Sequence, residues 1–143
     1  MSKKITAVKA LQTALAAEHA AVYGYGIVGA HGGARYDHAA KGDWNAHKEH
    51  RDRLVALLRK RRVQPVGARA GYALPFDVDG PHTAARLAAH LEDGVAAAYL
   101  EMVAVTDTGL RMLGARMLRD ATVRGARWGG STAAFPGMDS GGS

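Results

Sequence analysis

The 143-residue chain contains no cysteine. That excludes disulfides and any metal site built on thiolates, and it fits a cytoplasmic setting. Nothing in it approaches the run of about 18 consecutive apolar residues that a membrane-spanning helix needs, so no contact with a membrane is expected. The opening segment MSKKITAVKALQ has basic residues but neither a clean apolar stretch nor a cleavage site, so no signal peptide is expected. Aromatic residues are sparse, at 6%. Strand-type alternation is nearly absent.

Alanine is plentiful instead, at 29 of 143 residues. A core drawn from this composition consists of small side chains and closely approaching backbones. The length suits one domain and is enough to bury a working core.

The net charge of +6 is unevenly placed. Between Lys41 and Arg62 eight basic residues face three acidic ones, whereas the remainder is close to neutral. The excess ends in Arg59, Lys60, Arg61 and Arg62. Cations there complement the negative end of a helix dipole. The alternative is a contact with nucleic acid or another polyanion, which would be weak, salt-sensitive and indifferent to sequence. No aromatics interleave with these arginines to stack bases.

Helical periodicity dominates, and the expected fold class is all-α with four helices. The first begins after Thr6, a suitable N-cap, and runs to about Ala30, where HGGAR stops it. Its stripe is Leu11, Leu15, Glu18, Val22, Tyr25 and Gly29, so Glu18 shares the face that must be buried and His19 borders it. The second runs from about His38 or Asp43 to Val63, with Trp44, His47, His50, Leu54 and Leu57 or Leu58 inside. The third begins near Pro81, a residue suited to a first turn, and continues to about Thr106 through Leu87, Leu91, Val95, Ala98 and Met102. Glu92 and Tyr99 flank that stripe. The fourth spans about Gly109 to Trp128 through Leu113, Met117, Asp120 and Arg124. The bundle thus fills 1–130, and 131–143 form a Gly/Ser-rich tail.

The connections predict the topology. A modest Gly- and His-rich loop joins the first pair of helices and a turn near TDTG joins the second, giving two antiparallel hairpins. Between them lie about seventeen residues, QPVGARAGYALPFDVDG. Extended, such a segment reaches roughly 56 Å at about 3.3 Å per residue. A 25-residue helix is only about 38 Å long. The segment can therefore traverse the bundle and leave helices two and three parallel, the ferritin-like arrangement.

Bundles of that kind that hold two irons place a Glu on each of two helices and Glu-x-x-His on each of the other two. Carboxylates hold and bridge the irons, and imidazole completes each coordination sphere. Here the helices offer Glu18, then His47-x-x-His50 with His in the Glu position, then Glu92. The fourth offers Asp120, with Val123 where a His would stand. The candidate metal ligands are Glu18, His47, His50 and Glu92, enough for a single Fe, Mn or Zn ion and short of a complete di-iron centre. His19, Tyr25, Tyr99, Asp120 and Arg124 are further polar-core or ligand candidates. Each also has a structural reading: Glu18 as a buried acid paired with His50 or Arg124, the tyrosines as packing residues anchored by a hydroxyl.

The segments ALQTALAAEHAAVYGYGIVGA, HKEHRDRLVALL, GYALPFDV and AFPG together resemble a bacterial ferritin-like group of unknown function. The resemblance covers nearly the whole chain. It implies a ferritin-like four-helix bundle and admits a homodimer, and it supplies no substrate or reaction. Three functional readings stand: a binding or structural module with a degenerate metal site, an Fe- or Mn-dependent oxidoreductase, and a basic adaptor for nucleic acid or another polyanion.

Overall fold

The computed structural model describes residues 5–129. Four helices follow one another, α1 (Ala7–His31), α2 (Gly33–Lys60), α3 (Pro81–Val103) and α4 (Thr108–Arg127), with no strand among the described residues. The Gly/Ser-rich tail lies outside the described residues. None of these helices is long and apolar enough to cross a membrane.

Local chemistry sets the helix starts. The Thr6 hydroxyl accepts the N–H of Lys9 at 3.1 Å, and the Asp107 carboxylate accepts that of Leu110 at 3.0 Å. Each satisfies one of the orphan donors of a first turn. Pro81 opens α3, whose third residue, Thr83, accepts the Gly80 N–H at 3.2 Å. Arg59 and Lys60 occupy the last turn of α2, beside its negative end.

Two expectations need correction. The second helix starts at Gly33, several residues before His38, and one residue, Gly32, replaces the expected loop. Nothing in ARYDHAAK breaks a helix, and the two glycines suffice for the reversal. Gly33 takes a φ of +69°, and a Cβ on Gly32 would lie 2.9 Å from the Val28 carbonyl oxygen.

Helix α1 packs along both α2 and α3, and α4 packs on α3, while α2 and α3 touch only sparsely. Residues 61–80 cross between α2 and α3 without helix or strand. This crossover is laid on α1: the Gln12 side chain bonds both Gln64 O and Val66 N at 2.8 Å, and His19 Nε2 reaches Val66 O at 2.9 Å. The core is Leu11, Leu15, Leu54, Leu58, Leu87, Met102, Leu113 and Met117 set among buried alanines such as Ala10, Ala14, Ala21, Ala84, Ala88 and Ala121.

The glycines divide into two kinds. A Cβ on Gly24 would meet Leu91 Cδ1 at 2.4 Å, and one on Gly114 would meet Met102 Cβ at 2.9 Å and its backbone carbonyl carbon at 3.2 Å. These are close helix crossings. Gly26 and Gly29 are different, with nothing within 4 Å of an added Cβ. They face an open groove of about 270 Å³ beside Asp37, Lys41 and Trp44, so close helix crossing does not account for them.

We therefore expect Gly26→Ala and Gly29→Ala each to stabilise the fold by about 0.5–1 kcal/mol through helix propensity. Gly114→Ala should destabilise it by about 1–3 kcal/mol, because neither Met102 Cβ nor its backbone can swing aside. Urea denaturation midpoints compare the three, and equal effects would show that Gly114 is not a contact point.

Candidate functional site

At the centre of the bundle three helices converge on one imidazole. Glu18 on α1, His47 on α2 and Glu92 on α3 are all essentially inaccessible to solvent. His47 Nδ1 lies 2.5 Å from Glu18 Oε1, and His47 Nε2 lies 2.8 Å from Glu92 Oε2. An ionised carboxylate only accepts, so both ring nitrogens donate and His47 is an imidazolium.

The outer oxygens are satisfied from the remaining positions. Tyr99 on α3 donates to Glu18 Oε2 at 2.7 Å, and Arg124 Nε on α4 donates to Glu92 Oε1 at 3.0 Å. The Tyr25 hydroxyl donates to Glu92 Oε2, and its ring stacks on His47 with centroids 5.2 Å apart. His50, one turn after His47, holds its Nδ1 3.3 Å from Glu18 Oε2. That nitrogen is buried and makes no hydrogen bond among the described residues.

The electrostatics follow from this arrangement. Burial alone would raise the Glu18 carboxyl, but the hydrogen bond of His47, the nearby His50, the charge of His47 and the Tyr99 hydroxyl hold it down at about 2. Burial alone would lower the His47 imidazolium, yet the hydrogen bonds and charges of Glu18 and Glu92 push it up to about 9. Glu92 is likewise held below the usual carboxylate range: its burial is outweighed by His47 and Arg124. Burial and the adjacent carboxylates raise Tyr25 and Tyr99, so both stay protonated donors. Two carboxylates, one imidazolium and one guanidinium sum to zero.

Of the sequence candidates, Glu18, His47, His50, Glu92, Tyr25, Tyr99 and Arg124 come together here. His19 does not: it serves the crossover. Asp120 is also outside, 43% exposed and 3.7 Å from Arg119. Glu18 meets His47 first, and Arg124 reaches Glu92 rather than Glu18. Arg59, Lys60 and Arg62 are exposed, and Arg61 lies 3.5 Å from Asp107. Sequence reasoning missed Asp43, which accepts from Trp128 Nε1 at 2.8 Å and stands 3.5 Å from the Tyr25 hydroxyl. Its signal was the spacing Asp43, His47, His50 along one helical face.

Fold and site together define an all-helical protein with a charged cluster sealed in its core. The chain belongs to a family named for a domain of unknown function, DUF4439, which matches residues 10–140. It is also similar to a conserved hypothetical protein, rv2844, from Mycobacterium tuberculosis, whose crystal structure shares 35% sequence identity. That likeness covers 84% of this chain and 92% of the other, with a TM-score of 0.81. No curated protein matches the chain.

Stability of the metal-free protein should depend on pH from both sides. The Glu18 contribution is full above its unfolded value near 4.5 and lost as pH falls toward 2. The His47 contribution is full below its unfolded value near 6.5 and lost as pH rises through about 9. Denaturation midpoints in the presence of chelator should peak between these limits. His47→Gln should cost about 3–5 kcal/mol at the peak, since it uncovers buried carboxylates, and it should flatten the alkaline limb. An alkaline limb unchanged in the variant would show that His47 carries no charge.

Proposed function

We propose that the chain is a ferritin-like four-helix module that works by binding or by structural support, with the two-metal chemistry of such bundles given up. The order of its contacts supports the arrangement. Along α1 and α2, Glu18 meets His47 while Tyr25 meets Asp43, so the pairing runs in opposite directions. Along α1 and α3, Glu18 meets Tyr99 while Tyr25 meets Glu92, again in opposite directions. Along α3 and α4, Glu92 meets Arg124 while Met102 meets Gly114. On this reading α2 and α3 run parallel, on either side of α1, and the crossover returns the chain to the end of the bundle where α2 began.

One observation carries the loss of two-metal chemistry: Arg124 occupies Glu92. A ferritin-like pair of irons needs the carboxylate of the third helix free and a Glu-x-x-His on the fourth. Here a guanidinium sits on that carboxylate at 3.0 Å, Asp120 points away, and Val123 is 51% exposed. The residues do not fit a two-iron centre. The cluster is already neutral with protein cations, so the fold has no electrostatic need of a second metal. An oxidoreductase that relies on two irons has nothing to hold the second.

The test is aerobic addition of ferrous iron to the purified, chelator-stripped protein. We expect no more than one iron retained per chain and no oxygen uptake above the buffer blank. Two retained irons with oxygen consumption would reject the proposal.

A further inference from the structure

The cluster is not symmetrical, and its unfinished half has the makings of a ligand site. Glu92 is fully engaged by His47, Tyr25 and Arg124. Glu18 has His47 on Oε1 and Tyr99 on Oε2, and beside it stands the buried, unbonded Nδ1 of His50. That nitrogen approaches Glu18 Oε2 at 3.3 Å without a well-formed hydrogen bond, so its pairing there is weak for a buried polar atom. One ligand atom from each of Glu18, His47 and His50 can be chosen so that all lie within 4.8 Å of one another.

The geometry points to a mononuclear site in which Glu18, His47 and His50 bind one divalent transition ion of the zinc, cobalt or ferrous class. The inference rests on the ferritin-like, one-cation reading above and names the ligand. Two imidazoles and one carboxylate form a borderline donor set that suits these ions better than magnesium or calcium, which take oxygen ligands. Three protein ligands leave a coordination position open, as in zinc sites that are not purely structural.

Glu92 and Tyr99 then act as supports and not as ligands, which departs from the four-ligand expectation of the sequence. Glu92 accepts from His47 Nε2, leaving Nδ1 to face the ion, the carboxylate–histidine–metal pattern that fixes ring orientation and strengthens the ligand. Tyr99 holds Glu18 Oε2, leaving Oε1 on the same side as His47 Nδ1. Arg124 keeps Glu92 ionised. The His50 side chain, 20% exposed, is the one ligand that reaches toward solvent and so offers the entry path.

The experiment titrates the stripped, full-length protein with cobalt(II), read by visible d–d absorption, and with zinc(II), read by calorimetry and by melting temperature. We expect one ion per chain, cobalt bands that zinc abolishes, and a melting temperature raised by zinc. His50→Gln gives up only the 3.3 Å approach to Glu18 Oε2, and the variant, its fold checked by helical circular dichroism, should lose the cobalt bands and the zinc shift. Tyr99→Phe should weaken zinc about 10–100-fold while keeping the stoichiometry. Absence of binding by the wild type, or an unchanged cobalt spectrum in folded His50→Gln, overturns the assignment. Either result without oxygen uptake on iron addition would leave the loss of two-metal chemistry standing, so the two proposals fail separately.

Discussion

The contact on which the rest depends is the placement of His47 between Glu18 and Glu92. Two carboxylates buried in an alanine-rich core would be prohibitively costly alone, and each is tolerable only because a cation faces it. The three residues come from three different helices, so the imidazole ties α1, α2 and α3 at one level. A slip of α2 by one turn would bring Asp43 opposite Glu18 and replace attraction by repulsion between like charges. Leucines and alanines alone would tolerate that slip far better. The charged cluster therefore fixes the register of the bundle, whatever its net worth to stability.

Small residues make the cluster reachable. A glutamate and an imidazole span only a short gap, and buried alanines on α1, α3 and α4 let the helices approach closely enough. Gly125 shows the coupling directly: a Cβ there would lie 3.3 Å from Glu92 Cβ, against the α3 residue that Arg124, one position earlier, must grip. Gly114 does the same one end further along, under Met102. The alanine-rich composition, with its small side chains and closely approaching backbones, is what lets short polar side chains meet in the middle.

What the sequence disclosed was faces, and what it withheld was partners. Period 3.6 put Glu18 on the buried stripe of α1 and the His47-x-x-His50 pair on one side of α2, because those relations are local and repeat every turn. The starts of α1, α3 and α4 are readable from Thr6, Pro81 and TDTG because capping and turn chemistry is local too. Which cation would meet which acid depends on helix rotation and separation, neither of which leaves a periodic mark, so the sequence offers Glu18 to Arg124 whereas the structure gives it Glu92. Asp43 was passed over because a single acid in a basic helix reads as solvated until Trp128 is brought to it from 85 positions away. Spacing alone cannot tell a glycine that touches a neighbour, as Gly24 does, from one that faces a groove, as Gly26 and Gly29 do.

The two carboxylates, equivalent in burial, differ in what neutralises them. Glu92 is matched by a guanidinium, which stays charged under any ordinary condition. Glu18 has no arginine of its own and shares the charge of His47, a group that can be a cation or a neutral donor of electrons according to what stands beside it. The α4 side of the cluster is thereby locked, and the α2 side is adjustable. His50 adds a second nitrogen to the adjustable side and none to the locked one. On the proposed reading, the permanent ion pair at Glu92 leaves the Glu18 side as the place, among the described residues, where the core could exchange its cation, and that asymmetry would set what the bundle binds.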